Sequence, residues 1–70
     1  MKLTINGEQK ELDQVKYSFT LLELIKTLGY NPQLIVVELN GTISPPKAWE
    51  NKQLKEGDNL EIVTIVGGGS

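Results

Sequence analysis

Apolar and polar residues alternate at the start of the sequence. Leu3 and Ile5 are apolar and their neighbours are polar, a period of two that predicts a strand with one buried face. Asn6-Gly7 follows directly, and this dipeptide is a preferred centre for a two-residue hairpin turn. The polar run 8–15 is therefore predicted to be a second strand at a sheet edge, where charged side chains remain in solvent.

The clearest helix signal lies between residues 20 and 29. Thr20 and Glu23 have the spacing of a capping box, in which each side chain accepts a hydrogen bond from the other residue's backbone N–H. An apolar stripe at helical spacing follows, formed by Leu21, Leu24, Ile25 and Leu28. Gly29 stands where a left-handed residue ends a helix. These signals predict a helix over residues 21–28.

A continuous apolar run follows the helix. Residues 34–39 read LIVVEL, which predicts a strand buried on both faces. A second Asn-Gly turn at Asn40-Gly41 predicts a hairpin to the short strand 42–44. Pro45 and Pro46 should end that strand, because proline has no N–H for sheet pairing.

The last part of the chain predicts a short helical turn and a final strand. Segment 47–55 contains Trp49 among charged residues, and we expect this indole to pin the turn to the core. Glu56-Gly57-Asp58 is interpreted as a turn with solvated carboxylates rather than as a metal site. Strand 59–66 follows, with Leu60 and Ile62 predicted to face the helix.

Two further apolar residues of that strand, Val63 and Ile65, have the opposite parity and are expected on the solvent side. There they would form an exposed patch suited to docking a partner. The alternative is that a loop or a second copy of the chain covers them.

The order β-β-α-β-β-β predicts an α+β fold with a mixed sheet and one main helix across one face. The last strand is expected beside the first. This is the β-grasp (ubiquitin-like) roll, which would occupy residues 1–66, with 67–70 as a flexible glycine tail.

Composition narrows the chemistry. The 70 residues include neither cysteine nor histidine, which removes the thiolate and imidazole groups of most nucleophilic and acid–base catalysis. The net charge of −2 and the scattered lysines give no basic stripe for nucleic acid. No apolar run is long enough for a membrane span or a signal peptide, so a cytoplasmic protein is expected.

The sequence ends in Gly67-Gly68-Gly69-Ser70, which has two interpretations. Glycine and serine runs are flexible linkers and are common as engineered spacers. Alternatively, the glycines form a thin arm that presents a carboxylate inside a narrow channel of a partner enzyme, where a Cβ would obstruct passage.

The motifs in register with this glycine run resemble the sulfur-carrier proteins of thiamine thiazole biosynthesis, the ThiS family. The resemblance covers nearly the whole chain. It rests on VVELNG at 36–41, Ser44-Pro45, Trp49, Leu54 and the block EGDNLEIVTIVGGG at 56–69.

The resemblance implies a carrier and not an enzyme. An adenylating enzyme related to ubiquitin activators would use ATP and Mg to adenylate the carboxylate of Gly69. A persulfide donor would convert it to a thiocarboxylate, and thiazole synthase would receive the sulfur. Gly67 and Gly68 would thread the partner's active site, and the carrier itself would bind no cofactor.

Ser70 departs from the family pattern, because a residue after Gly69 holds the required carboxylate in a peptide bond. Either a protease removes it, or it is an added residue, or the chain is not competent as written. Two other functions remain open. One is the small subunit of molybdopterin synthase, and the other is a β-grasp module that binds a partner noncovalently.

Overall fold

The structure is a computed structural model that describes residues 1–12 and 19–65. Its elements are β1 (Lys2–Ile5), β2 (Glu8–Glu11), α1 (Leu21–Leu28), β3 (Ile35–Leu39), β4 (Thr42–Ser44) and β5 (Asn59–Thr64). Two 3₁₀ helices, Pro32–Leu34 and Pro46–Asn51, lie in the connections. The predicted part of β2 beyond Leu12, the last residue of the predicted β5 and the glycine tail lie outside the described residues.

The five strands form one mixed sheet in the order β2-β1-β5-β3-β4. β5 lies in the centre, parallel to β1 and antiparallel to β3, so the last strand pairs with the first as expected. α1 covers one face, which confirms the β-grasp arrangement. In the described part of the chain, no helix has the length and apolar character needed to cross a membrane.

Local signals in the sequence set both hairpins and both ends of the helix. Asn6 and Asn40 have positive φ angles of 52° and precede glycines with positive φ, as two-residue hairpin turns require. Thr20 and Glu23 form the complete capping box. Gly29 ends α1 in the left-handed conformation, with φ 84°.

The core lies between α1 and the covered face of the sheet. Its buried side chains come from β1, α1, β3, the connection before β5, and β5: Leu3, Ile5, Leu21, Leu24, Ile25, Ile35, Val37, Trp49, Leu54, Leu60 and Ile62. Trp49 is 1% exposed, and its Nε1 donates a hydrogen bond of 2.7 Å to the Ser44 carbonyl oxygen. The predicted role of Trp49 as a core residue is therefore confirmed.

The prediction that residues 34–39 are buried on both faces is wrong. Ile35 and Val37 are buried, but Val36 is only half-buried and Leu34, which lies in the preceding 3₁₀ helix, is 47% exposed. The physical reason is that, within the described residues, α1 covers only one face of the sheet. The alternate residues of β3 therefore belong to an open face, although they are as apolar as those of the core.

Candidate functional site

The candidate site is the open face of the sheet where β5 ends. Val63 and Ile65 lie on this face and are 60% and 49% exposed, so no part of the chain that the structure describes covers them. Their exposure is as expected from the parity of β5. Gly67, Gly68 and Gly69, which the sequence places directly after this point, lie outside the described residues.

The antiparallel register of β3 and β5 enlarges this surface. Val36 lies directly opposite Val63. One step further, the Ile65 backbone N–H donates to the Leu34 carbonyl oxygen at 2.6 Å, which places these two residues side by side. Cross-strand neighbours on one face have Cβ atoms about 4.5–5.5 Å apart, so their side chains form a continuous surface. We call Leu34, Val36, Val63 and Ile65 the apolar patch.

Sequence reasoning missed Leu34 and Val36 as members of this patch. Their parity is visible in the sequence, but the run 34–39 alone does not tell which of its two apolar faces is covered. For β5 the sequence did identify the exposed residues. Leu60 and Ile62 were assigned to the helix side, which placed the residues of opposite parity, Val63 and Ile65, on the open face.

An acidic pair adjoins the apolar patch on the same face. Glu38 of β3 lies opposite Glu61 of β5, and Ile43 of β4 lies opposite Glu38 on the other side. Ile43 is 61% exposed. Glu38 therefore lies between Ile43 and Glu61 across the strands, and the Val36–Val63 pair forms the next cross-strand step on the same face.

Side-chain hydrogen bonds tie β5 to the two hairpin turns. The Asn6 side-chain oxygen accepts from the Ile62 backbone N–H at 2.7 Å, and its amide donates to the Ile62 carbonyl oxygen at 3.2 Å. β1 ends at Ile5, so the Asn6 side chain substitutes for a further peptide group in the β1–β5 pairing. It thereby holds the strand immediately before Val63.

The second turn holds the beginning of β5. The Asn40 side-chain oxygen accepts from the Asn59 backbone N–H at 2.9 Å, and its amide donates to Asp58 Oδ1 at 3.0 Å. Asp58 Oδ2 accepts from the Lys55 backbone N–H at 2.8 Å. These contacts fix the strand that leads to the patch at both of its ends.

The prediction of solvated carboxylates in the turn before β5 is wrong for Asp58. Asp58 is 6% exposed, because the Asn40 turn packs over it, whereas Glu56 is exposed and accepts a hydrogen bond from the Lys2 backbone N–H. Within residues 1–12 and 19–65, no group of three or more His, Cys, Asp or Glu side chains could hold a metal ion.

We expect Asp58→Ala to reduce the free energy of unfolding by about 1–3 kcal/mol, because it leaves the part-buried Lys55 N–H and the Asn40 amide without their acceptor. Urea denaturation followed by tryptophan fluorescence measures the change. Glu56→Ala in the same turn is the control and should cost much less, since Glu56 is exposed. Equal losses in the two variants would contradict the structural role of Asp58.

The fold and this face define the chain as a ubiquitin-like β-grasp domain whose central strand leads into a glycine run. Comparison with known families refines this class, because the ThiS family profile matches residues 3–69. The chain belongs to the ThiS family. The match extends from β1 through the three glycines.

Individual relatives agree with this assignment. A crystal structure of the thiamine biosynthesis protein (ThiS) from Geobacter metallireducens superimposes with a TM-score of 0.84 at 33% identity, covering 99% of this chain and 100% of that one. The uncharacterized protein ycf40 of Trieres chinensis is 40% identical over 65 residues, which are 93% of this chain and 85% of that protein.

A third relative is longer. The thiazole synthase of Paramagnetospirillum magneticum is 39% identical over all 70 residues, but the match covers only 21% of that protein. This chain thus spans about a fifth of the length of that relative, and the remainder of the relative has no counterpart in it.

Proposed function

We propose that this chain is the sulfur carrier for the thiazole of thiamine, with the carboxylate of Gly69 as the carrying group. The observation that supports this most directly is the family match, which includes the glycine run and lies on a β-grasp fold. The match to a thiazole synthase supports that enzyme as the sulfur acceptor, since a domain like this chain occurs within a protein of that name.

The proposed reaction needs two partners besides the acceptor. A carboxylate is a poor electrophile until one of its oxygens becomes part of a good leaving group. The Gly69 carboxylate would attack the α-phosphorus of Mg-ATP on a ubiquitin-activator-like adenylating enzyme, and pyrophosphate would leave. The terminal sulfur of a persulfide donor would then displace AMP from the acyl carbon. A second thiol would cleave the S–S bond of this acyl disulfide and release the thiocarboxylate.

The carrier would contribute no catalytic group to these steps. Its sequence offers no thiol and no imidazole, and ATP and Mg would be bound by the adenylating enzyme. The carrier supplies the reacting carboxylate and a surface that binds the partners. In this sense it is a protein co-substrate and not an enzyme.

The apolar patch would be the docking surface for these partners. Its last member, Ile65, precedes Gly69 by only four residues, which reach about 13–14 Å when fully extended. A partner that covers the patch could therefore place its active site only within that distance. Gly67 and Gly68 would pass through a narrow channel between the partner's docking surface and its active site, because glycine has no side chain to obstruct passage.

The test is intact-protein mass spectrometry after incubation with the adenylating enzyme, Mg-ATP and a persulfide source. Three forms are compared: the chain ending in Gly69, the chain ending in Ser70, and a chain ending in Gly67. Only the form ending in Gly69 should gain the mass difference between one sulfur and one oxygen, because only it presents the correct carboxylate.

Other outcomes have defined meanings. If an adenylating enzyme that is active on another carrier modifies none of the three forms, this result would contradict the sulfur-carrier function. Retained binding of the partner by the form ending in Gly67, without any sulfur transfer to the form ending in Gly69, would favour a noncovalent β-grasp module instead.

A further inference from the structure

The acidic pair on the open face is an unusual arrangement for a free sheet surface. Glu38 and Glu61 are cross-strand neighbours, and like charges directly opposite each other destabilise a sheet. The ion pairs among residues 1–12 and 19–65 are Met1 amino group with Glu11 and Lys10 with Glu8, both near the β1–β2 edge. Neither of them compensates the pair on β3 and β5.

The surroundings of the pair determine what happens when a partner docks. Glu38 is a neighbour of both Ile43 and Val36, and Glu61 is a neighbour of Glu38 and Val63. A surface that covers the three apolar side chains therefore has both glutamates at its edge. Glu38 is already half-buried, so contact would remove much of the remaining water from its carboxylate. Burying two like charges without a compensating cation carries a large desolvation cost.

We infer that this face binds a protein surface with an apolar centre and one basic side chain, preferably arginine, placed against Glu38 and Glu61. The inference rests on the proposed function, since it defines the chemistry of the docking partner. Arginine suits the site because its planar guanidinium has five donors and can bridge two carboxylates, whereas lysine presents a single point charge.

Charge complementarity also argues against other occupants of the same face. A second copy of the chain packed across a two-fold axis would bring its own Glu38 and Glu61 to the same region, which adds like charges. A membrane with anionic lipids would repel the carboxylates in the same way. The pair thus favours one class of partner and disfavours self-association through an apolar surface.

The inference predicts opposite effects of one substitution on stability and on binding. Glu61→Gln removes the like-charge repulsion and should raise the urea midpoint of the free chain. The double variant Glu38→Gln/Glu61→Gln should raise it as well. Both should nevertheless bind the partner more weakly, because the single variant leaves its basic side chain with one carboxylate instead of two and the double variant leaves it with none. If Glu38 and Glu61 affected only the stability of the fold, a higher urea midpoint would not be accompanied by weaker binding.

The experiment measures affinity for the purified adenylating enzyme and for purified thiazole synthase by isothermal titration calorimetry. The double variant should lose at least about tenfold in affinity for one of them. The residual affinity of the double variant should change less than that of the unchanged chain between about 0.1 M and about 1 M NaCl. Over this range the Debye length falls from about 10 to about 3 Å. Glu50→Gln is the matched control, because this exposed residue of the 3₁₀ helix Pro46–Asn51 lies on the α1 side.

Each outcome decides between the alternatives. Affinity of the double variant equal to that of the unchanged chain for both enzymes overturns the inference but leaves the carrier function intact. An equal loss in Glu50→Gln also overturns it, since only net charge would then matter. Dimerisation of the double variant alone, seen by sedimentation, supports the part of the inference that concerns self-association. Absence of binding by the unchanged chain contradicts the docking role of this face altogether.

Discussion

Trp49→Ala should leave the chain largely unfolded in dilute buffer. The indole is 1% exposed and is the largest fully buried side chain of the core, and its Nε1 also satisfies the Ser44 carbonyl oxygen. Replacing a buried tryptophan by alanine costs about 3–5 kcal/mol. A domain of this size seldom obtains more than about 3–5 kcal/mol from its core. The expected loss is therefore as large as the whole contribution of the core to the free energy of unfolding.

Far-UV circular dichroism and urea denaturation measure this effect. Trp49→Phe is the informative control, because it keeps most of the buried apolar volume but removes the hydrogen-bond donor, and it should fold with an intermediate midpoint. Lys47→Ala changes an exposed residue of the same 3₁₀ helix and should have little effect. A cooperative transition for Trp49→Ala at the original midpoint would show that this side chain does not hold the core together.

Val63→Asp should abolish productive docking while leaving the fold intact. Val63 is 60% exposed and lies opposite Val36 in the apolar patch, so the free chain tolerates a charge there. In a complex the new carboxylate would be buried beside Glu38 and Glu61, and an uncompensated charge in an interface is strongly unfavourable. We expect affinity for the adenylating enzyme to fall by about 100-fold or more, and thiocarboxylate formation to fall with it.

Calorimetric titration and the mass assay report the two consequences separately. Asn51→Asp adds the same charge to an exposed position in the 3₁₀ helix on the α1 side, and it should bind and react normally. If Val63→Asp forms the thiocarboxylate at the original rate, then the partners approach the glycine arm without using the apolar patch.

The elements with local causes could be predicted from the sequence. The two Asn-Gly turns, the capping box of α1 and its glycine stop each depend on residues that are neighbours in the chain. The alternation in β1 and β5 also gave the correct buried faces, because one of the two apolar sets had to meet the helix. The functional class depended on a further sequence feature, the glycine run in register with a family pattern.

Two predictions were wrong for the same physical reason. The burial of the β3 side chains and of Asp58 depends on which other parts of the chain pack against them. Those parts are distant in the sequence. β3 has apolar side chains on both faces, but among the described residues α1 covers only one of these faces. Asp58 is buried because the turn at Asn40, which precedes it by 18 residues, donates a hydrogen bond to its carboxylate.

The sequence by itself thus determined the order of elements, their turns and caps, the core residues of β1 and β5 and the family to which the chain belongs. Only the tertiary structure decided which side of β3 is open, that Leu34 and Val36 join Val63 and Ile65 in one patch, and that Glu38 and Glu61 stand opposite each other. Strand register is a long-range property, since β3 and β5 are separated by the β4 hairpin and a 3₁₀ helix. Local propensity cannot specify it, because packing against α1 fixes which residues of the two strands meet.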